Sequence, residues 1–226
     1  MPSLRAAVVV PTLNEEQELR RTLPPALAAA DEVVVADGGS ADGTVAVARA
    51  LGARVIVGPA GRGAQLNRGA AASDAELLVF LHADTTLPPE GIAAARAAVG
   101  AGAAGGAFRL RFDLDRPAFR LAARLANLRA RLTATPLGDQ AQFATREAFE
   151  QLGGFQPWPV LEDLDFARRL KRCGRVVILP ETVTTSARRF ADHGLLRTVA
   201  RNYWIWLLYF AGAEPRRLAR LYRPRG

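Results

Sequence analysis

Five apolar residues in a row, Leu77-Leu78-Val79-Phe80-Leu81, stop at His82-Ala83-Asp84. A strand with one face in water alternates apolar and polar side chains, and this one does not. It therefore has to be covered on both faces, as in a parallel sheet flanked by helices. Residues 6–10, 32–36 and 54–57 read as further strands, and 76–81 as the strand containing the run. Helices are expected over 15–30, with Asn14 as N-cap, over 42–51, opened by Ser40 or Asp42, and over 64–72. An alanine-rich helix follows Pro88-Pro89 to about residue 99. Strands alternating with helices at this spacing predict an α/β fold with right-handed crossovers.

The rhythm changes after Gly100. Residues 102–106 read as a flexible joint, 107–114 as a partly exposed strand and 116–132 as a helix. Short elements are expected at 140–144 (strand), 146–152 (helix), 164–172 (helix) and 176–179 (strand), with no internal repeat. The expectation is a single domain over 1–226: a nucleotide-binding half (1–100), a half that closes over it (101–190) and a C-terminal helical segment (191–226).

In open α/β sheets ligands bind beyond the carboxyl ends of the strands. Polar groups gather at three such ends: Pro11 to Glu15, Asp37 to Ser40, and His82 to Asp84. There is no G-x-G-x-x-G after the first strand and no P-loop, so dinucleotide and P-loop readings lose their main signature. Gly61-Arg62-Gly63 can present backbone N–H groups and an arginine to a diphosphate, or simply start a helix. Asp37 can meet a base or ribose, or order its own loop as an Asx-turn. Asp84 can hold a divalent cation that bridges a diphosphate, or cap the strand end. Glu162-Asp163-Leu164-Asp165 can cap a helix, or supply a general base.

The net charge of +8 comes from 30 basic and 22 acidic residues, and Lys171 is the only lysine. Arginines cluster at 116–131 and 216–225, preceded by Arg188, Arg189, Arg197 and Arg201. Compositional bias explains this, as does attraction to phosphate or an anionic membrane. Nucleic acid is not expected, because the basic stretches carry no reader motif or stacking platform. The apolar stretch 203–212 is too short to span a bilayer, which takes about 20 residues. It can lie at a membrane surface, pack on the core, or form a homodimer contact. One cysteine, Cys173, and no signal peptide predict a cytoplasmic protein, with the inner face of the membrane as a further location.

The order of these motifs resembles a known family. Residues 7–16, Asp37-Gly38-Gly39-Ser40, 61–69, His82-Ala83-Asp84, Gly138-Asp139-Gln140, Gly153-Gly154-Phe155 and Glu162-Asp163 are similar to the motifs of family 2 glycosyltransferases. The likeness runs from residue 5 to about 180. The tail, from Ser186 to Tyr222, further resembles a small bacterial subgroup labelled arsenosugar-biosynthesis-associated or diaponeurosporenoate-type glycosyltransferases. The resemblance implies the GT-A fold, a Rossmann-like, mostly parallel sheet with a C-terminal helical tail. It implies metal-dependent, inverting transfer of a sugar from a nucleotide-diphosphate donor, a UDP-sugar first, to a hydroxyl or carboxyl acceptor that is lipid-like in one reading. It places Pro11, Asn14, Glu15 and Asp37 on the nucleoside, Arg62 on the diphosphate, and Asp84 on Mg²⁺ or Mn²⁺. Asp163 is the implied base, with Glu162, Asp139 and Gln140 on the acceptor side. His82 departs from the family, which commonly has aspartate there. His193 is weighed as an extra ligand against a surface or capping role. Alternatives are a nucleotidyltransferase, disfavoured because Pro11-Thr12-Leu13-Asn14 replaces its glycine- and lysine-rich loop, and a non-catalytic nucleotide-binding membrane-associated protein.

Overall fold

The computed structural model describes residues 4–188 and 194–222; Arg189 and His193 lie outside them. Four parallel strands form one half of an eight-stranded sheet: β1 (Ala6–Thr12), β2 (Glu32–Asp37), β3 (Arg54–Val57) and β4 (Leu77–Phe80). The helices between them are α1 (Glu16–Ala29), α2 (Thr44–Ala50) and α3 (Arg62–Ala71). The strand order is β3-β2-β1-β4. The chain thus winds outward from β1 to β3, and α3 carries it back across to β4. The carboxyl ends of β1 and β4 flank the point where the winding reverses, which is where such sheets open a ligand crevice.

Every residue of β4 is buried, as its unbroken apolar run requires. Alternate residues serve opposite cores. Val79 and Leu77 join Val8, Val10, Leu19 and Phe108, while Leu78 and Phe80 join Val9, Leu66, Phe149 and Phe166. On the second face Phe155 stacks on Phe166 at 4.3 Å, and Phe80 meets Phe155 edge-on at 4.8 Å. This aromatic cluster presses α7 (Glu162–Leu170) onto the sheet and so fixes where the Glu162-Asp163 pair begins.

The other half is mixed. β7 (Gln142–Thr145) runs antiparallel between β4 and β6 (Ala103–Phe112), and β8 (Arg175–Thr185) runs parallel to β6. A two-residue strand, β5 (Thr85–Thr86), closes the edge. The remaining helices are α4 (Gly91–Gly100), α5 (Pro117–Thr133), α6 (Arg146–Gln151), α8 (Leu195–Phe210) and α9 (Pro215–Tyr222). Among the described residues no helix is long and apolar enough to cross a membrane.

Three expectations are corrected. Residues 102–106 are not a joint, because β6 begins at Ala103. A Cβ on Gly105 would lie 2.3 Å from the Phe143 carbonyl oxygen, and one on Gly106 2.2 Å from that of Val177, so the glycines are there for close strand packing. β8 extends well beyond 176–179. Its register against β6 slips between the Ala107–Ile178 and Arg109–Thr182 pairs, and that irregularity accommodates Pro180, which has no N–H to donate. Asn14 is not the cap of α1; Glu15 occupies that position, without a side-chain cap. Asn14 sits at φ 55° and ties two loops together instead. Its N–H donates to Ser40 Oγ at 2.9 Å, and its Oδ1 accepts from the Ala41 N–H at 2.8 Å.

Candidate functional site

A cleft of about 340 Å³ opens at the ends of β1 and β4, lined by Pro11, Glu15, Arg62, Gln65, His82 and Asp84 among others. Asp37 does not line it; it is fully buried at the end of β2, behind Thr12. Its carboxylate accepts from the Gly39 and Ser40 N–H groups, both at 2.8 Å, and from the Thr12 and Ser40 hydroxyls. Burial pushes its pKa up, but these donors outweigh it and hold the carboxyl below the usual range. Asp37 thus realises the Asx-turn, and a nucleobase N–H would have to share its oxygens.

The Gly61-Arg62-Gly63 step is built for close approach. Gly61 lies at φ 142°, and a Cβ on Gly63 would fall 2.4 Å from the Gln156 carbonyl oxygen. Just beyond it, Asn67 clamps Phe155, donating to its carbonyl at 2.9 Å and accepting its N–H at 2.8 Å. Gln65, buried, donates to the carbonyls of Thr12 at 2.7 Å and Ala36 at 2.8 Å, which locks α3 to the ends of β1 and β2. Arg62 itself reaches across to α7, donating to Glu162 Oε1 at 3.1 Å. It lines the cleft while paired with Glu162, so the residue expected on the diphosphate also touches the acceptor-side motif.

In a cavity that adjoins the cleft, Asp163 Oδ2 accepts the Gly138 N–H at 2.7 Å, and Oδ1 accepts that of Leu164 at 2.7 Å. Gly138 is also where His82 arrives. A Cβ there would lie 2.5 Å from His82 Nε2 and 3.1 Å from Asp163 Oδ2. His82 and Asp163, far apart in sequence, therefore meet on either side of one bare backbone position. Glu162 is buried, and burial raises its pKa; Arg62 pulls it back and the Asp163 charge adds to the rise. Among the described residues four non-glycine residues, Asn14, Ala134, Ala141 and Leu161, hold left-handed backbone. Asparagine tolerates that region, but alanine and leucine pay for it in strain, which is commonly stored beside functional groups.

Asp139 is pushed up to about 6, first by burial and then by the charges of Asp163 and Asp84, against the pull of Arg129. The unfolded chain releases this proton near 3.8 and the folded one near 6. The contribution of Asp139 to stability is therefore full below about pH 4, is lost as pH rises through 6, and amounts to about 3 kcal/mol. Asp139→Asn should lack that slope: its melting temperature should exceed that of the wild type at pH 8 by more than it does at pH 4. An equal difference at both pH values would remove Asp139 as a proton-holding group. Gln140 lies beneath the same turn, fully buried, donating to the Phe108 carbonyl at 3.1 Å and accepting from Arg129 at 3.3 Å. It shapes the turn that presents Gly138.

Arg188, in sequence part of a basic stretch, pairs with a residue of the cleft wall. It donates to Glu15 Oε2 at 3.0 Å and pairs with Glu18 at 3.4 Å. The Glu15 contact, then Glu18 and Asp84, keep it firmly charged. In sequence it was one arginine among many.

The chemistry of the donor groups fits a hard cation. Asp84 is buried at the strand end, yet among the described residues its carboxylate makes only a 3.4 Å contact with the Thr85 hydroxyl. Among the described residues no three His, Cys, Asp or Glu side chains form a metal cage of their own. One open carboxylate suits a cation that takes its remaining oxygens from a diphosphate and water.

A family profile described as "Glycosyl transferase family 2" matches residues 7–147. A search of curated protein sequences finds no match. Among solved structures, the mannosyltransferase PcManGT from Pyrobaculum calidifontis, in complex with GDP-Man and Mn²⁺, is 19% identical with a TM-score of 0.68 and covers 97% of this chain and 69% of that one. Glucosyl-3-phosphoglycerate synthase from Mycobacterium tuberculosis, in complex with Mn²⁺, UDP and glucosyl-3-phosphoglycerate, is 26% identical with a TM-score of 0.57, covering 79% of this chain and 70% of that one. Residues 1–349 of S. aureus TarS are 18% identical with a TM-score of 0.62; the match takes in 81% of this chain but 61% of that one.

Proposed function

The chain belongs to glycosyl transferase family 2, and on that footing we propose that it moves a sugar from a nucleoside-diphosphate donor to a hydroxyl or carboxyl acceptor, with inversion at the anomeric carbon. The observation that supports this is the approach of His82 and Asp163 to Gly138, with the Asp163 carboxylate in a cavity that adjoins the cleft lined by Asp84. Relatives of the same fold bind GDP-Man in one case and UDP with a glucosyl product in another, so both bases are in play for the donor.

In this reading residues 1–100 hold the donor. Pro11, Asn14, Glu15 and Asp37 shape the nucleoside end, Arg62 approaches the diphosphate and Asp84 would hold Mg²⁺ or Mn²⁺. Such a cation, when bound, neutralises charge on the departing diphosphate. Asp163 takes the proton of the acceptor hydroxyl, whose oxygen forms the new bond to the anomeric carbon as the bond to the diphosphate breaks. The nucleoside diphosphate leaves with that electron pair. The two backbone N–H groups on Asp163 aim its carboxylate. Glu162, tied to Arg62, links the donor's phosphate side to the base.

The test is a panel of UDP- and GDP-sugars, scored by thermal shift with and without Mn²⁺ and by nucleoside diphosphate release. At least one donor should stabilise the protein in a Mn²⁺-dependent way and be turned over. No shift and no release across the panel would sink the proposal. Gly138→Ala gives a finer check. The added methyl cannot fit against His82 and Asp163 without moving them. A shift of about 1 Å in a reacting group costs about 10²-fold, so turnover should fall by that order with donor affinity much less affected. Equal losses in both would mean that Gly138 serves only the fold.

A further inference from the structure

The cleft does not end at Asp163. It shares Arg62 and Pro159 with a cavity of about 120 Å³ that contains Asp163. That cavity shares Leu137, Asn202 and Trp206 with a slot of about 140 Å³ between α5 and α8. The slot has a different character from the cleft. Leu110, Phe112, Ala122, Ala126 and Val199 line it, and its polar groups, Arg129, Asp139 and Asn202, are few. Leu125 and Tyr203 line it too while 52% and 54% exposed, so it opens outward through an apolar rim.

The junction between slot and base holds an unpaired group. Among the described residues Asn202 Oδ1 is buried there without a hydrogen-bond partner. A buried acceptor left unpaired is destabilising, and an O–H from a ligand would relieve it. Beside it the Arg129 guanidinium lies over the Trp206 ring at 4.7 Å. A sugar or another polyol would strand its hydroxyls against these walls, since each buried hydroxyl needs a partner.

We propose that the slot binds the acceptor, and that the acceptor is an amphiphilic alcohol: an apolar body between α5 and α8, with its hydroxyl passed by Asn202 to Asp163. The assignment rests on the glycosyl-transfer reading and narrows it. A hydroxyl is the group that needs a base, because a carboxylic acid arrives already ionised at neutral pH. The apolar rim gives such a molecule an entry that does not cross the polar donor cleft.

The test uses 10-bromodecan-1-ol, whose bromine quenches nearby tryptophan fluorescence, on the full-length protein. Quenching should saturate, and most of it should vanish in Trp206→Phe. Ala122→Trp should weaken binding at least tenfold with its melting curve still cooperative. Plain alkan-1-ols should displace the probe with roughly fourfold tighter binding per added CH₂ until the slot is full, the factor expected from about 0.8 kcal/mol per CH₂. Alkanoates of equal length should bind more weakly. Quenching that does not saturate, persists in both variants, ignores chain length or favours the alkanoate would overturn the proposal. Nucleoside diphosphate titrated on the same wild-type sample reports the donor cleft separately. Failure there would count against glycosyl transfer itself, and failure of the alcohol alone against the slot.

Discussion

Asp163→Asn should lower transfer by about 10²–10⁴-fold, the usual contribution of a positioned general base, while the donor still binds. The substitution is nearly isosteric, so any loss traces to chemistry and hydrogen bonding and not to volume. Asp163 receives one backbone N–H on each oxygen, from Gly138 and Leu164. A carboxamide can accept only one of them and must turn an NH₂ toward the other. The variant is therefore both unable to take a proton and slightly misaimed. Losing the charge also relieves Asp139 and Glu162, both of which Asp163 pushes up. The fold should be little affected, because one repulsion is removed as one hydrogen bond is lost. Measured as kcat and donor KM, the effect should fall on kcat. Wild-type turnover would remove Asp163 as the base. A parallel collapse of donor affinity and melting temperature would make it a structural cap, which its position in the first turn of α7 also permits.

The parallel half of the fold was legible because burial on both faces leaves an unmistakable mark, as Leu77 to Leu81 shows. The mixed half was harder. Gly105 and Gly106 look like a hinge in sequence and are strand residues in space, since the reason for them, two neighbouring carbonyls, lies on other strands. Pro180 masked the length of β8 because a register slip that accommodates proline has no local signature. The site shows the same division. Asp84, Glu162 and Asp163 announce themselves as carboxylates at strand and helix ends. Gly138 could be matched as part of a motif, but its purpose, room for His82 beside Asp163, needs the fold. Gln65 stands in the 61–69 motif and Arg188 in a basic stretch, but the partners of these two, and the position of Asn202, leave no mark in the sequence. Their bonds, or the lack of one, are set by residues distant in the chain. His193 lies outside the described residues.

Asp84→Ala should abolish the Mn²⁺-dependent part of nucleoside diphosphate binding, a loss of roughly 10²-fold if the cation contributes several kcal/mol to diphosphate contact. The fold should survive, because the structural work at this position is done by main chain. The Ala83 carbonyl accepts from the Thr22 hydroxyl at 2.6 Å, and the Asp84 carbonyl accepts from the Ser186 N–H at 3.1 Å. Both bonds persist in the variant, and the carboxylate itself gives up only the long contact with Thr85. Removing its charge also lowers the pressure on Asp139, so the melting temperature at neutral pH should hold or rise slightly. A carboxylate retained at some cost to its neighbours, and spent on no internal bond of consequence, is expected where a ligand supplies the compensating charge. Calorimetry with UDP and GDP, with and without Mn²⁺, decides the matter. If Mn²⁺ still strengthens binding in Asp84→Ala, the cation is held elsewhere, and Asp139, which feels the Asp84 charge, becomes the residue to replace next.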